Sequence, residues 1–260
     1  VGATRCDTYD NYIHDVADDG IGIGYEGGAS EINVFSNNIT NTGARGISIM
    51  GASSLVNVSS NNITNTWLGG IYVECYTGSV SLVNITANNV YLGGSYTPPL
   101  ALNARGSGVG GGIVVMAGTN GGSYGITSLS ISNNNISSSW NSHIGVGYIN
   151  NGSSVFGISS LKVTGNICYG ITNVGARGAA SGSGGGVNAA PSPLSYAGIY
   201  VANSFNLDVS NNSINACNQE VVRIGSTCTG YNTVKNNFCI TPNQSGGANY
   251  AYYVEAGLSD

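Results

Sequence analysis

Ile32-Asn33-Val34-Phe35-Ser36-Asn37-Asn38-Ile39-Thr40-Asn41, followed by Gly46-Ile47-Ser48-Ile49, is the stretch whose reading decides the fold. The same phrase returns as Leu55 to Ser60, then Asn61-Asn62-Ile63-Thr64-Asn65, then Gly70-Ile71-Tyr72-Val73. Self-similarity at a period of about 20–50 residues is the signature of stacked units that bury their apolar faces against one another. Working outward, rungs are expected at Asn11, Asn37, Asn61, Asn88, Asn134, Asn166, Asn211 and Asn236, each with a glycine-led apolar strand after it. Those strands begin at Gly20, Gly46, Gly70, Gly112, Ile144, Gly198, Val221 and Tyr252.

Alternation within each strand sends Ile47 and Ile49 one way and Ser48 and Met50 the other. The apolar set must be buried, and neighbouring coils supply the cover. The Asn-Asn pairs read as tight bends, because Asn tolerates left-handed backbone and its amide bonds the next Asn in a stack. No stretch has helical periodicity. The sequence therefore predicts an all-β chain: a single-stranded right-handed parallel β-helix (a solenoid) of about eight coils with asparagine turns. Two long loop insertions, Tyr91 to Gly111 and Gly170 to Ala197, interrupt it before the glycine-led strands. Residues 1–260 read as one domain, a fragment or mature piece of a longer extracellular protein, with neither end capped.

With these motifs the chain resembles the pectin-lyase-like family of right-handed parallel β-helix proteins, from about Asp7 to Gly257. That resemblance implies the fold and leaves activity open, because the family holds polysaccharide lyases, glycoside hydrolases, tailspikes and adhesins. It also implies a carbohydrate cleft along the sheet built from the glycine-led strands. Asp18-Asp19-Gly20-Ile21 resembles the paired-aspartate strand of polygalacturonases. The next coils depart from that pattern, with Ala44-Arg45-Gly46 in place of Gly-His-Gly and Tyr72-Val73-Glu74 in place of Arg-x-Lys. If the chain is an enzyme, Asp18, Asp19, Arg45 and Glu74 are the catalytic candidates. A structural reading of the same residues is that Asp19 and Arg45, at one coil position in adjacent rungs, form an ion pair. Asp15, Asp18 and Asp19 also offer oxygens to a calcium ion, although no Gly-Gly-x-Gly-x-Asp repeat is present.

By alternation the outward columns of the glycine-led sheet read Gly22, Ser48, Tyr72, Val114, Gly145, Tyr200, Arg223, Tyr253 and Gly24, Met50, Glu74, Met116, Gly147, Ala202, Gly225, Glu255. Tyr72, Tyr200, Arg223 and Tyr253 are the candidate carbohydrate-binding residues, since a tyrosine offers a sugar ring an apolar face and a hydroxyl.

Only 7% of residues are charged and the net charge is −5. Nucleic acid would need a basic stripe that two lysines, Lys162 and Lys235, do not make. No run of apolar residues reaches membrane-spanning length. The six cysteines lack C-x-x-C spacing, which favours disulfides, with Cys217 expected to reach Cys228 or Cys239. Asn-x-Ser/Thr sequons start at Asn38, Asn57, Asn62, Asn84, Asn135, Asn151, Asn211 and Asn243. Asn57, Asn84, Asn151 and Asn243 are the better-placed glycosylation acceptors, since several of the others stand at the turn, where the side chain is expected to tuck inside. The reading that follows is an extracellular or virion-surface protein for attachment or assembly, of adhesin, spike or filament type. Its partners are a polysaccharide or cell-surface glycan, and itself, end to end or as a trimer. The alternative is a polysaccharide lyase or glycoside hydrolase.

Overall fold

The computed structural model describes residues 3–25, 27–75, 77–91, 111–117, 124–139, 142–149, 156–170, 197–217, 220–225, 227–242 and 251–254. Nearly all of the two insertions, and Asn151, Asn243 and Glu255, lie outside the described residues.

The fold is a right-handed parallel β-helix made of three eight-stranded parallel sheets. The first sheet runs from Ala3–Tyr9 to Thr233–Lys235, the second from Tyr12–Val16 to Phe238–Pro242, and the third from Ile21–Ile23 to Tyr252–Val254. Each coil visits the three in that order, so every strand pairs with the equivalent strand one coil away. A short pair, Tyr124–Ile126 with Phe156–Ile158, adds a fourth ladder at one corner.

Period two explains the core. Val34, Val58, Ile85 and Ile131 from the first sheet, Ile39, Ile63, Val90 and Ile136 from the second, and Ile47, Ile71, Ile113 and Ile144 from the third stack in register and are all buried in one apolar core. Branched aliphatics dominate because each side chain stacks on its counterpart above and below on a pleated surface.

The bend between the first and second sheets is held by an asparagine ladder, buried from Asn37 to Asn212. Each amide donates to the Oδ1 of the next, from Asn11 to Asn37, Asn61, Asn88, Asn134, Asn166, Asn212 and Asn237, at 2.8–3.0 Å. The last two rungs correct the expectation of Asn211 and Asn236. In every coil the ladder residue lies two positions before an inward side chain, as Asn37 precedes Ile39 and Asn212 precedes Ile214. The residue before the ladder asparagine takes the left-handed backbone. Asn211 (φ 58°) and Asn236 (φ 52°) do so, as Ser36, Ser60 and Ala87 do in earlier coils.

The corner between the second and third sheets requires glycine. A Cβ at Gly46, Gly70 or Gly112 would lie 2.3–2.4 Å from the inward side chain of the next coil's second sheet, Ile63, Val90 or Ile136. His143 stands in this column, with its backbone carbonyl over Gly112 as Gly112's is over Gly70.

Register along the third sheet corrects one outward column. Gly22, Ser48, Tyr72, Val114, Gly145, Tyr200, Arg223 and Tyr253 pair in succession, as alternation requires. In the other column a bulge shifts the register, so that Met116 pairs with Tyr148 rather than Gly147. Gly147 absorbs the bulge at φ 88°, where any Cβ would collide with the Ala202 carbonyl.

The cysteine expectation is corrected among the described residues. Cys228 is buried in the core and Cys239 is half-buried, and neither forms a disulfide. Cys239 continues the inward column of Ile136, Cys168 and Ile214, while Cys217 pairs in register with Pro242, three residues beyond Cys239.

Candidate functional site

Arg45 is the first residue of the strand Arg45–Met50, at the corner where the third sheet begins, and its side chain leaves the core on the outer face. Its guanidinium donates to Glu74 Oε2 at 2.9 Å and lies 3.6 Å from Asp19 Oδ2. Asp19 also accepts the Arg45 backbone N–H at 3.0 Å and the Ser48 hydroxyl at 2.6 Å. The guanidinium carbon stands 4.9 Å from the centroid of the Tyr72 ring, a cation–π contact. One cation and two carboxylates therefore tie three successive coils together. All three side chains are nearly closed to solvent, at 10%, 14% and 5% exposure for Arg45, Asp19 and Glu74.

The electrostatics follow from that burial. Desolvation raises the Glu74 carboxyl above its ordinary value, Arg45 works against the rise, and the negative Asp19 adds to it. Arg45 is held more firmly protonated, because Glu74 and Asp19 outweigh its desolvation. Asp18 does not join the cluster. Its side chain is exposed, and the group it contributes is its backbone carbonyl, which accepts the Ala44 N–H at 3.3 Å. Asp15 faces elsewhere, bonded to His14 at 3.0 Å and to Asn41 at 2.8 Å. The three aspartates of the calcium expectation thus do not converge. Among the described residues no group of three His, Cys, Asp or Glu is arranged to hold a metal.

A second, smaller arginine cluster sits toward the far end of the same face. Arg223 lies 3.9 Å from Glu220 and 5.0 Å from the centroid of the Tyr253 ring. Between the two clusters Tyr72, Val114, Met116, Ala197, Tyr200 and Ala202 form a second apolar core outside the sheet. This corrects the reading of Tyr72, Tyr200 and Arg223 as solvent-facing. Tyr72 is fully buried, and Tyr200 and Arg223 are 4% and 8% exposed. Alternation places a side chain on a face; it does not say whether that face is covered.

Accessible aromatics stand on the second sheet, besides Tyr9 on the first, Tyr252 on the third, and Tyr25, Phe205 and Tyr231 outside the strands. The outer columns of the second sheet read Tyr12, Asn38, Asn62, Asn89, Asn135, Ile167, Ser213, Phe238 and His14, Thr40, Thr64, Tyr91, Ser137, Tyr169, Asn215, Ile240. Tyr169 is 45% and Phe238 62% exposed, with Ile240 beside them and Ser213 and Asn215 between. The sequence reading missed this surface by following only the glycine-led strands. The same period-two count over Ile167-Cys168-Tyr169 and Phe238-Cys239-Ile240 finds it.

Of the glycosylation candidates, Asn57 and Asn84 are exposed on the first sheet and hydrogen-bonded to each other at 3.0 Å. Among the described residues no helix is long and apolar enough to cross a membrane.

No family model matches the sequence, and no curated protein matches it. Among solved structures the chain is similar to a tailspike protein of E. coli bacteriophage HK620, a mutant solved in complex with a pentasaccharide. The identity is 14% and the TM-score 0.44, over 92% of this chain and 44% of the tailspike chain, so this chain spans under half of that protein's length.

Proposed function

We propose that the chain is an extracellular or virion-surface β-helix that serves attachment or assembly, contacts its partner through exposed aromatics of the second sheet, and takes a surface glycan as that partner. The observation that carries this reading is the patch of Tyr169, Phe238 and Ile240 with Ser213 and Asn215 between them. It offers apolar ring faces beside uncharged donors and acceptors, the combination that suits sugar rings and their hydroxyls. The rod beneath it is rigid, since strand pairing and the amide ladder run through every coil. Rigid aromatic anchors lose little entropy on binding.

The runner-up is a polysaccharide lyase or glycoside hydrolase using Asp18, Asp19, Arg45 and Glu74. One observation favours it: the raised Glu74 carboxyl suits a general acid. Against it, glycoside hydrolysis needs two carboxyl groups flanking the scissile bond. Asp19 and Glu74 both point at one guanidinium and are nearly closed to solvent.

The test is retention of the protein on glycan-coated surfaces and whole cells. The parent is expected to be retained, and Tyr169→Ala/Phe238→Ala to lose at least about tenfold in affinity, the loss of roughly 1.4 kcal/mol. Equal retention of parent and variant would sink the assignment of this face.

A further inference from the structure

The sequons fall on outward asparagines that the turn hides less than the sequence suggests. In three of the Asn-Asn bends the buried ladder residue is the asparagine just before the sequon: Asn37, Asn61 and Asn134. The sequon starts on the second, and Asn38, Asn62 and Asn135 are all exposed. Asn57 and Asn84 are exposed as well. All five have one pattern by alternation: an outward asparagine, an inward Val or Ile, then Thr40, Ser59, Thr64, Thr86 or Ser137, of which the first four are half-buried and Ser137 is buried. Alternation puts amide and hydroxyl on one face, two positions apart. Asn211 differs, since its middle residue is the ladder asparagine Asn212 and its own backbone is left-handed.

A second observation concerns what surrounds these positions. Leu55 and Leu82, two residues before Asn57 and Asn84, are 46% and 49% exposed. Ile167 pairs in register with Asn135 and is exposed too. The chain has only 7% charged residues to keep such a surface in solution.

We propose that Asn38, Asn57, Asn62, Asn84 and Asn135 are acceptors of N-linked oligosaccharides, which cover Leu55, Leu82 and Ile167 on the first sheet and the earlier coils of the second and leave the Tyr169 and Phe238 patch open. The donor class is a lipid-phosphate-linked oligosaccharide. Asn Nδ2 forms a bond to the anomeric carbon, the bond from that carbon to phosphate oxygen breaks, and the phosphate leaves with the electron pair. Nδ2 gives up one proton, taken by the base of the transferase. The product amide keeps one N–H, a donor for the bonds Asn62 to Asn38, Asn57 to Asn33 and Asn84 to Asn57. This modification is independent of whether the rod itself binds a glycan.

The experiment is tandem mass spectrometry of glycopeptides from the protein isolated from its own source. It is repeated on secreted recombinant protein carrying Thr40→Val, Thr64→Val or Thr86→Val, changes that remove a sequon hydroxyl and leave the asparagine. The expected result is hexose- or hexosamine-bearing peptides at positions on both sheets, loss of the sugar at the matching asparagine in each valine variant, and bare Asn33 and Asn89. Unmodified peptides at all five positions would overturn the proposal. Sugar confined to Asn57 and Asn84 would overturn its second-sheet half.

Discussion

At the scale of single residues, neighbouring asparagines of one bend have unrelated jobs. Asn61 is buried; its amide donates to the Val34 and Ser59 carbonyls and to Asn88, and its Oδ1 accepts from Asn37. Asn62 is exposed and makes one side-chain bond, to Asn38 at 3.3 Å. Removing a buried polar partner leaves others unsatisfied at about 1–3 kcal/mol each, while a surface amide is worth a few tenths. Asn61→Ala is therefore expected to destabilise by roughly 3 kcal/mol or more, and Asn62→Ala by under about 0.5 kcal/mol. Chemical denaturation of both variants checks this, and equal effects would contradict the ladder. Six of the eight ladder residues were legible from spacing. Asn211 and Asn236 were misread because any asparagine of a run suits a bend, and only the position two before an inward side chain joins the ladder.

At the scale of the element, the corner of the third sheet shows how a bulky group enters a glycine column. Gly46, Gly70 and Gly112 each abut Ile63, Val90 or Ile136 of the next coil. Above His143 the equivalent inward residue is Cys168, the partner of Ile136 in register, and it is smaller. The histidine is fully buried and neither ring nitrogen makes a well-formed hydrogen bond. Burial lowers its pKa to about 4, and the one group acting the other way is the Tyr169 backbone. The native state thus holds a neutral ring, while the unfolded chain takes up a proton once pH falls below about 6.5. Stability from this site is complete above pH 6.5 and is lost progressively as pH falls toward 4, to a total of about 3 kcal/mol. Urea unfolding across that range should show the parent losing stability more steeply than His143→Leu. Parallel curves would show that the ring does not titrate on unfolding.

At the scale of the whole molecule, the sheets, the inward columns and the Asp19–Arg45 pair were legible because they depend on alternation and repeat alone. Two coil positions a period apart must stack, so an aspartate and an arginine there must meet. The fate of the third sheet's outer face was not legible, because alternation gives direction and not cover. Tyr72 and Tyr200 point away from the first core, as read, and are buried in a second one. The aromatics chosen for the proposed contact, Tyr169 and Phe238, lie a third of a coil away on the second sheet. The chemistry-bearing residues Asp19, Arg45 and Glu74 close on one another while Tyr169 and Phe238 face solvent, and the proposal of a rod that holds a partner without cutting it rests on that contrast. The measurement that tests this most directly is product release from a panel of acidic and neutral polysaccharides by the parent and by Asp19→Asn/Glu74→Gln. The account predicts no product from either protein, with retention on glycan unchanged by the double substitution. Product from the parent, abolished by the substitution, would contradict it and place an active site on the first three coils.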